Sequence, residues 1–110
     1  MLRAGHELLN GTVTITRLNA QQLDQEIQGI SSWKVVNGKL RRELSFPDFV
    51  TAFGFMAQIA LIAERDNHHP EWSNVYNRVT IDLTTHEASG ISERDIVMAK
   101  AIDTILSRLL

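Results

Sequence analysis

The feature that most restricts the fold of this chain is a nearly continuous apolar stretch from Phe49 to Ala63, in which only Thr51 and Gln58 are polar. We predict a helix here, because the fixed φ of Pro47 suits a first helical position and Asp48 complements the helix dipole. The stretch is shorter than the roughly 20 residues of a membrane span, and its apolar side chains surround the whole helix. In one domain of 110 residues such a helix is either fully buried or in contact with a second subunit, and we favour the subunit contact.

A predicted β-hairpin lies on each side of this helix. The first runs from Trp33 to Phe46 around Asn37-Gly38, a dipeptide that tolerates the positive φ required at both central turn residues. The facing pairs are then Val35 with Leu40 and Trp33 with Arg42, and the core face continues through Leu44 and Phe46. The second hairpin runs from about Ser73 to Thr84, and its apolar face consists of Val79, Ile81 and Leu83.

Two further helices are marked by capping residues. Asn19 is the predicted N-cap of the first helix, with Gln22 three residues later, and Gly29 ends that helix. Ser92 and Asp95 form a second capping box, before a final helix whose apolar face is Ile102, Ile105, Leu106 and Leu109. The predicted order is therefore helix, hairpin, helix, hairpin, helix. Four antiparallel strands covered by three helices give a two-layer α+β sandwich, which we expect to span residues 18–110 after a flexible tail at 1–17.

Composition excludes several classes of function. The net charge of -2 provides no basic surface for nucleic acid or for an anionic membrane. The chain has no cysteine, so a disulfide framework, a thiolate zinc site and a cysteine nucleophile are all ruled out. The N-terminus lacks the apolar run of a secretory signal, and we expect a cytoplasmic or nuclear location.

Histidines follow two of the predicted elements. His68 and His69 come after the long helix, and His86 comes after the last strand; imidazole exchanges protons near neutral pH. Each also has a simpler interpretation, in which His68 caps the helix, His69 precedes the turn at Pro70 and His86 is an ordinary loop residue. A zinc site is the other alternative, but adjacent histidines point apart and the usual i, i+4 spacing is missing.

The full set of motifs distinguishes between these alternatives. It consists of Glu64, Asn67-His68-His69-Pro70-Glu71-Trp72, Asn74-Val75-Tyr76-Asn77, Thr84-Thr85-His86-Glu87 and Ser92-Glu93-Arg94-Asp95. Together with Phe49 and Ala52-Phe53-Gly54-Phe55-Met56, this set resembles the signature of the pterin-4a-carbinolamine dehydratases. The resemblance covers roughly Asn19 to the C-terminus.

The resemblance implies an enzyme that dehydrates 4a-hydroxytetrahydrobiopterin to quinonoid dihydropterin in tetrahydrobiopterin recycling, without metal or cofactor. It implies a homodimer or homotetramer associated through sheet edges and the central helix. It also implies that His68, His69 and His86 are catalytic, with Glu64 and Asp95 flanking the site. The pterin-binding residues would be Asn67, where some members carry Asp, and the three histidines with Thr84, Thr85 and Glu87. Some members also serve as dimerisation cofactors of a homeodomain transcription factor, which is the alternative function.

The reaction requires an acid that protonates the departing hydroxyl on C4a and a base that takes the proton from N5. We expect His86 and His68 to be this acid/base pair, with His69 assisting or positioning.

Overall fold

The chain folds as the predicted α+β arrangement of three helices and a four-stranded antiparallel sheet. The structure, a computed structural model, describes residues 8–9 and 12–109, with side chains from Thr14 onward. The helices are α1 (Ala20–Gln28), α2 (Phe49–Asp66) and α3 (Glu93–Leu109). The strands are β1 (Leu8–Leu9), β2 (Thr12–Val13), β3 (Lys34–Val36), β4 (Lys39–Ser45), β5 (Glu71–Val75) and β6 (Arg78–Leu83).

The main sheet has the strand order β3-β4-β6-β5. The tight turn of the first hairpin is confirmed by the positive φ of Asn37 and Gly38, and Val35 lies opposite Leu40 as predicted. β3 begins one residue after Trp33, and the hairpin ladder ends at the pair of Lys34 with Arg41, so the predicted pair of Trp33 with Arg42 lies just outside it. The second hairpin spans Glu71 to Leu83, slightly earlier than predicted.

The two faces of the sheet differ in chemistry because side chains alternate along each strand. Leu40 of β4 and the apolar residues of β6 are buried against the helices, with Val79, Ile81 and Leu83 at most 1% exposed. The opposite face is polar, and there Arg41 donates two hydrogen bonds to Asp82, at 2.8 and 2.9 Å. The sheet therefore forms the hydrophobic core through one face only.

Helix α2 begins at Phe49, two residues later than a helix with Pro47 at its first position. Asp48 is its N-cap and accepts a hydrogen bond from the Thr51 amide at 2.8 Å, so the prediction that Pro47 occupies the first helical position is wrong. The Asp48 side chain satisfies an amide at the helix start that otherwise has no partner. Hydrogen bonds from the side chain and the backbone of Thr51 lower the pKa of Asp48.

Only one stripe of α2 contacts the core. Its buried residues are Ala52, Phe55, Ile59 and Ala63. The other side of the helix carries exposed apolar side chains, Phe49, Val50, Phe53 and Leu61. No helix in the described part of the chain combines the length and apolar character needed to cross a membrane.

The capping predictions are confirmed in full for α1 and in part for α3, where the Ser92 hydroxyl accepts from the Arg94 amide at 3.2 Å and not from the Asp95 amide. Asn19 and Gln22 exchange both hydrogen bonds of a capping box at the start of α1, and Gly29 is its C-cap. At the start of α3, the Asp95 side chain accepts from the Ser92 amide at 2.9 Å. The flexible tail at 1–17 stays a prediction; within it, β1 pairs with β2 and Arg17 bridges to Ser92.

Candidate active site

The chain turns sharply at the end of α2, and this turn separates two neighbouring histidines. Asn67 is the C-cap in the left-handed conformation, with φ 49 and ψ 45, a region that asparagine tolerates better than most residues. The His68 amide then donates to the carbonyl of Ala63 at 3.1 Å. After this turn the His68 side chain is buried and His69 is exposed, so the adjacent histidines have different environments.

His68 belongs to a buried hydrogen-bond network centred on Asp95. His68 is 8% exposed and Asp95 is fully buried, and His68 Nε2 lies 2.6 Å from Asp95 Oδ1. The second carboxylate oxygen, Oδ2, accepts from the Thr85 hydroxyl at 2.7 Å and from the Ser92 amide at 2.9 Å. Buried carboxylates require such partners, because an unpaired buried charge is strongly unfavourable.

The direction of each hydrogen bond in this network follows from the donors available. An ionised carboxylate only accepts, so His68 donates its Nε2 proton to Asp95 and its Nδ1 keeps a lone pair in the neutral imidazole. The Thr85 proton goes to Asp95, so Thr85 Oγ1 accepts from the Ser92 hydroxyl, 2.6 Å away. Ser92 Oγ in turn accepts from the Arg94 amide at 3.2 Å. Among the described residues, no buried side-chain nitrogen or oxygen atom lacks a hydrogen-bond partner.

The other two histidines lie at the surface, each beside a carboxylate of its own. His69 Nε2 is 3.0 Å from Glu64 Oε1, one turn back on α2. His86, in a short 3-10 turn (His86–Ala88) after β6, has Nε2 3.3 Å from Glu71 Oε2 at the start of β5. Glu71 also pairs with Lys39 of β4. A carboxylate at this distance restrains the orientation of the imidazole ring.

Three segments of the chain meet at this end of the sheet. β5 and β6 are antiparallel neighbours, which brings Glu71, two residues after His69, beside the loop that carries His86. Thr85 connects that same loop to Asp95 and thus to His68. Arg94 connects α3 to the end of α2, because its Nη2 donates to the carbonyl of Asn67 at 3.1 Å.

Comparison with known proteins agrees with this arrangement. A family model described as Pterin 4 alpha carbinolamine dehydratase matches residues 16–105. The chain belongs to this family. A relative from Solibacter usitatus, provisionally named a pterin-4-alpha-carbinolamine dehydratase, is 53% identical over 90 residues, which cover 82% of this chain and 95% of the relative. One from Prochlorococcus marinus with the same provisional name is 50% identical over 93 residues, covering 84% of this chain and 97% of the relative.

A solved structure gives the same fold for a member of the pterin-4-alpha-carbinolamine dehydratase family. The crystal structure of a transcriptional coactivator/pterin dehydratase from Brucella melitensis matches with a TM-score of 0.79 and 44% identity. The match covers 82% of this chain and 98% of that one. The family match at residues 16–105 includes the four strands of the main sheet, α1, α2, most of α3 and the positions of the three candidate histidines.

The residues expected to bind pterin differ in their accessibility. Asn67 and Glu87 are exposed, Thr84 is partly exposed at the end of β6, and Glu87 lies 3.6 Å from Arg94. Thr85 is fully buried, with its hydroxyl bonded to Asp95 and its backbone amide and carbonyl both bonded to Gly90. Its polar groups are thus occupied within the protein, and Thr85 has no group free to hold a pterin directly.

Sequence reasoning missed two residues that contact the candidate site residues, Glu71 and Arg94, and a third, Lys39, that pairs with Glu71. Glu71 and Arg94 stand within the recognised motifs but were given no role, and Lys39 lies outside them. Glu71 was detectable in principle, because it starts the strand paired with the one before His86. From the sequence, Ser92 is recognisable only as a helix-capping residue. The hydrogen bond between its hydroxyl and Thr85 depends on the packing of α3 against the end of the sheet.

Metal binding has little support in this geometry. The three candidate histidines contact different carboxylates: His68 contacts Asp95, His69 contacts Glu64 and His86 contacts Glu71. Among the residues that the structure describes, no three or more His, Cys, Asp or Glu side chains are grouped closely enough to hold a metal ion.

Proposed function

We propose that this protein removes water from a 4a-hydroxytetrahydropterin and forms the quinonoid dihydropterin. The observation that carries the proposal is that the segments of His68 and His86 are connected, because Asp95 is hydrogen-bonded both to His68 and to Thr85, the residue before His86. Family membership and the provisional names of the relatives support the same reaction class. By analogy, the product would serve tetrahydrobiopterin recycling in the cytoplasm.

The dehydration needs two proton transfers. An acid protonates the hydroxyl on C4a, which leaves as water while the N5 electron pair forms the C4a=N5 double bond. A base then takes the proton that N5 carried, so the product is neutral and the protein returns to its initial protonation state after one exchange with solvent. Histidine suits both steps because it gives and accepts protons near neutral pH.

We assign the proton-accepting atom of His68 as Nδ1. Nε2 is bonded to Asp95 at 2.6 Å, which leaves Nδ1 with the lone pair, and Asp95 stabilises the imidazolium once a proton arrives. The acid is then His86, whose side chain is 81% exposed and therefore open to a ligand. Glu71 Oε2, 3.3 Å from His86 Nε2, holds the ring at this position.

His69 takes the assisting role. Its side chain is 56% exposed and lies 3.0 Å from Glu64, so it faces solvent from the segment that follows α2. An imidazole held there contributes a hydrogen-bonding group to a bound ring without the buried partner that fixes His68. We therefore expect His69 to affect substrate binding more than the rate of proton transfer.

The test is turnover of a synthetic 4a-hydroxytetrahydropterin above its spontaneous dehydration. His68→Ala and His86→Ala should each lower kcat by about 100-fold to 10,000-fold, the usual contribution of one general acid or base. His69→Ala should raise KM more than it lowers kcat. The matched control is His6→Ala, which changes the one histidine outside the described residues and should leave kcat and KM unchanged.

Circular dichroism and sedimentation mass must match the wild type for each variant. Wild-type kcat in folded His68→Ala and His86→Ala proteins would show that these histidines do not carry the reaction.

A second function has its own support. The name of the Brucella melitensis protein includes a transcriptional coactivator, and α2 presents exposed apolar side chains, Val50, Phe53 and Leu61, to a partner. The alternative is therefore a dimerisation cofactor for a homeodomain transcription factor. Co-sedimentation with the dimerisation segment of such a factor tests it, and a folded chain that binds the segment but lacks dehydratase activity would favour this function over catalysis.

A further inference from the structure

We propose that Thr85 is a positioning residue for His68 and not a ligand of the pterin, an inference that rests on the proposed dehydratase function. Thr85 is fully buried and cannot present its side chain to a substrate. Its hydroxyl donates to Asp95 Oδ2 at 2.7 Å, while His68 occupies Oδ1 of the same carboxylate at 2.6 Å. Thr85 therefore acts on His68 through Asp95.

The carboxylate of Asp95 has to be held in one orientation for the imidazole of His68 to keep one tautomer. Rotation about the Cβ–Cγ bond would remove Oδ1 from His68, and the neutral ring would then be free to carry its proton on either nitrogen. Two donors oppose that rotation from the Oδ2 side, the Thr85 hydroxyl and the Ser92 amide. The amide belongs to the helix cap, so Thr85 is the only side chain of the described residues that donates to Oδ2.

Thr85 is itself fixed by four further contacts, one of which is a hydrogen bond from the Ala88 amide to its carbonyl at 3.1 Å. Its hydroxyl oxygen is 2.6 Å from Ser92 Oγ, its amide donates to the Gly90 carbonyl at 2.9 Å, and its carbonyl accepts from the Gly90 amide at 3.3 Å. The bonds to Gly90 close the loop that contains His86. One buried residue thus connects the loop carrying His86 to the carboxylate that orients His68.

Two substitutions at Thr85 separate the hydroxyl from the packing. Thr85→Val keeps the branched shape and removes the hydroxyl, whereas Thr85→Ser keeps the hydroxyl and removes a methyl group. Thr80→Val makes the same chemical change on the polar face of β6 and is the matched control. If Thr85→Val does not fold, Thr85→Ala replaces it in the comparison with Thr85→Ser, because both lack the methyl group and differ only in the hydroxyl.

The first readout is the tautomer of the His68 ring, measured from its imidazole ¹⁵N chemical shifts at a pH where the ring is neutral. Wild type, Thr85→Ser and Thr80→Val should carry the proton on Nε2. Thr85→Val should give a mixture of the two tautomers. The second readout is kcat, which Thr85→Val should lower on the order of 10-fold to 100-fold with little change in KM, as when a partner that orients a reacting group is removed.

The inference holds only if both the tautomer and kcat change in Thr85→Val and both are retained in Thr85→Ser. An unchanged tautomer, an unchanged kcat, or a rise in KM alone overturns it, and the last result would restore Thr85 as a pterin contact. If the wild-type protein has no dehydratase activity, the proposed function fails, and the tautomer comparison by itself decides whether Thr85 positions His68.

Discussion

Replacing Asp95 by Ala should lower the free energy of unfolding by about 3–5 kcal/mol, because three buried donors lose the acceptor that they share. The substitution leaves three donors without their acceptor: His68 Nε2 at 2.6 Å, the Thr85 hydroxyl at 2.7 Å and the Ser92 amide at 2.9 Å. A buried unpaired donor costs about 1–3 kcal/mol, and three neighbours share part of that cost when they rearrange together. Because domains are stable by only about 5–15 kcal/mol, this loss removes a large fraction of the total.

Asp95→Asn separates charge from shape. The carboxamide retains one acceptor oxygen but turns an NH₂ group towards one of the three donors, so we expect an intermediate loss of about 1–3 kcal/mol. The assay is urea unfolding followed by circular dichroism, at one protein concentration because association would shift the midpoint. With an m-value of about 2 kcal/mol/M, the midpoint of Asp95→Ala should fall by about 2 M.

The control for this experiment is Asp24→Ala, which changes an exposed residue of α1 and should alter stability by less than about 0.5 kcal/mol. If Asp95→Ala unfolded at the wild-type midpoint, the buried network would not be what joins α3 to the end of α2. An equal loss in Asp95→Ala and Asp95→Asn would instead show that the charge matters more than the number of acceptors.

Three other outcomes are expected. Asp48→Asn keeps an N-cap acceptor but cannot ionise; because the pKa of Asp48 is lowered on folding, its contribution is complete above the ordinary pKa of about 3.9 and is lost as pH falls through the lowered value. Wild type should therefore lose stability relative to Asp48→Asn as the pH falls from about 5 to about 2. A difference in urea midpoint that stays constant over this pH range would contradict this. Phe53→Glu and Leu61→Glu should reduce the sedimentation mass if the exposed side of α2 joins subunits, and a wild-type monomer at micromolar concentration would exclude that interface. Prolonged chelation should leave the dehydration rate unchanged, whereas a loss of activity restored by zinc would require a metal-bound hydroxide.

The oligomer prediction depends on which side of α2 is exposed, and the structure changes the residues that test it. The sequence alone does not distinguish Phe53, Phe55 and Met56 as positions for an interface substitution, because the helix is apolar on every side. Phe55 is fully buried and its ring lies 5.0 Å from that of Phe46, so a glutamate there would disrupt the core. Phe53, which is 59% exposed, tests the interface without that complication.

Several elements were predictable because they depend on residues close in sequence. The capping pair Asn19 with Gln22 joins residues three apart, and Asn37-Gly38 reflects the intrinsic tolerance of these residues for positive φ. The alternation in β6 likewise follows from the two-residue period of a strand. Such signals identify helices, turns and strand faces before any tertiary contact is known.

The start of α2 shows the limit of local signals. Pro47 suits a first helical position and Asp48 suits an N-cap, so the local preferences allow the helix to start either at Pro47 or after Asp48. The path of the chain leaving β4 selects Asp48 as the N-cap. Likewise, a helix that is apolar all round has no periodicity from which to choose its buried stripe, and contact with the sheet selects Ala52, Phe55, Ile59 and Ala63.

By itself the sequence determined the order of the elements, the turn of the first hairpin, the capping residues and, through its motifs, the three candidate histidines. Only the tertiary structure decided that Asp95, visible locally as a cap for Ser92, also binds His68 and Thr85, and that Glu71 lies beside His86. The physical reason is the separation along the chain of the residues that interact. A cap joins atoms three residues apart, whereas His68 and Asp95 are 27 residues apart and meet only after α2, the second hairpin and α3 have packed together.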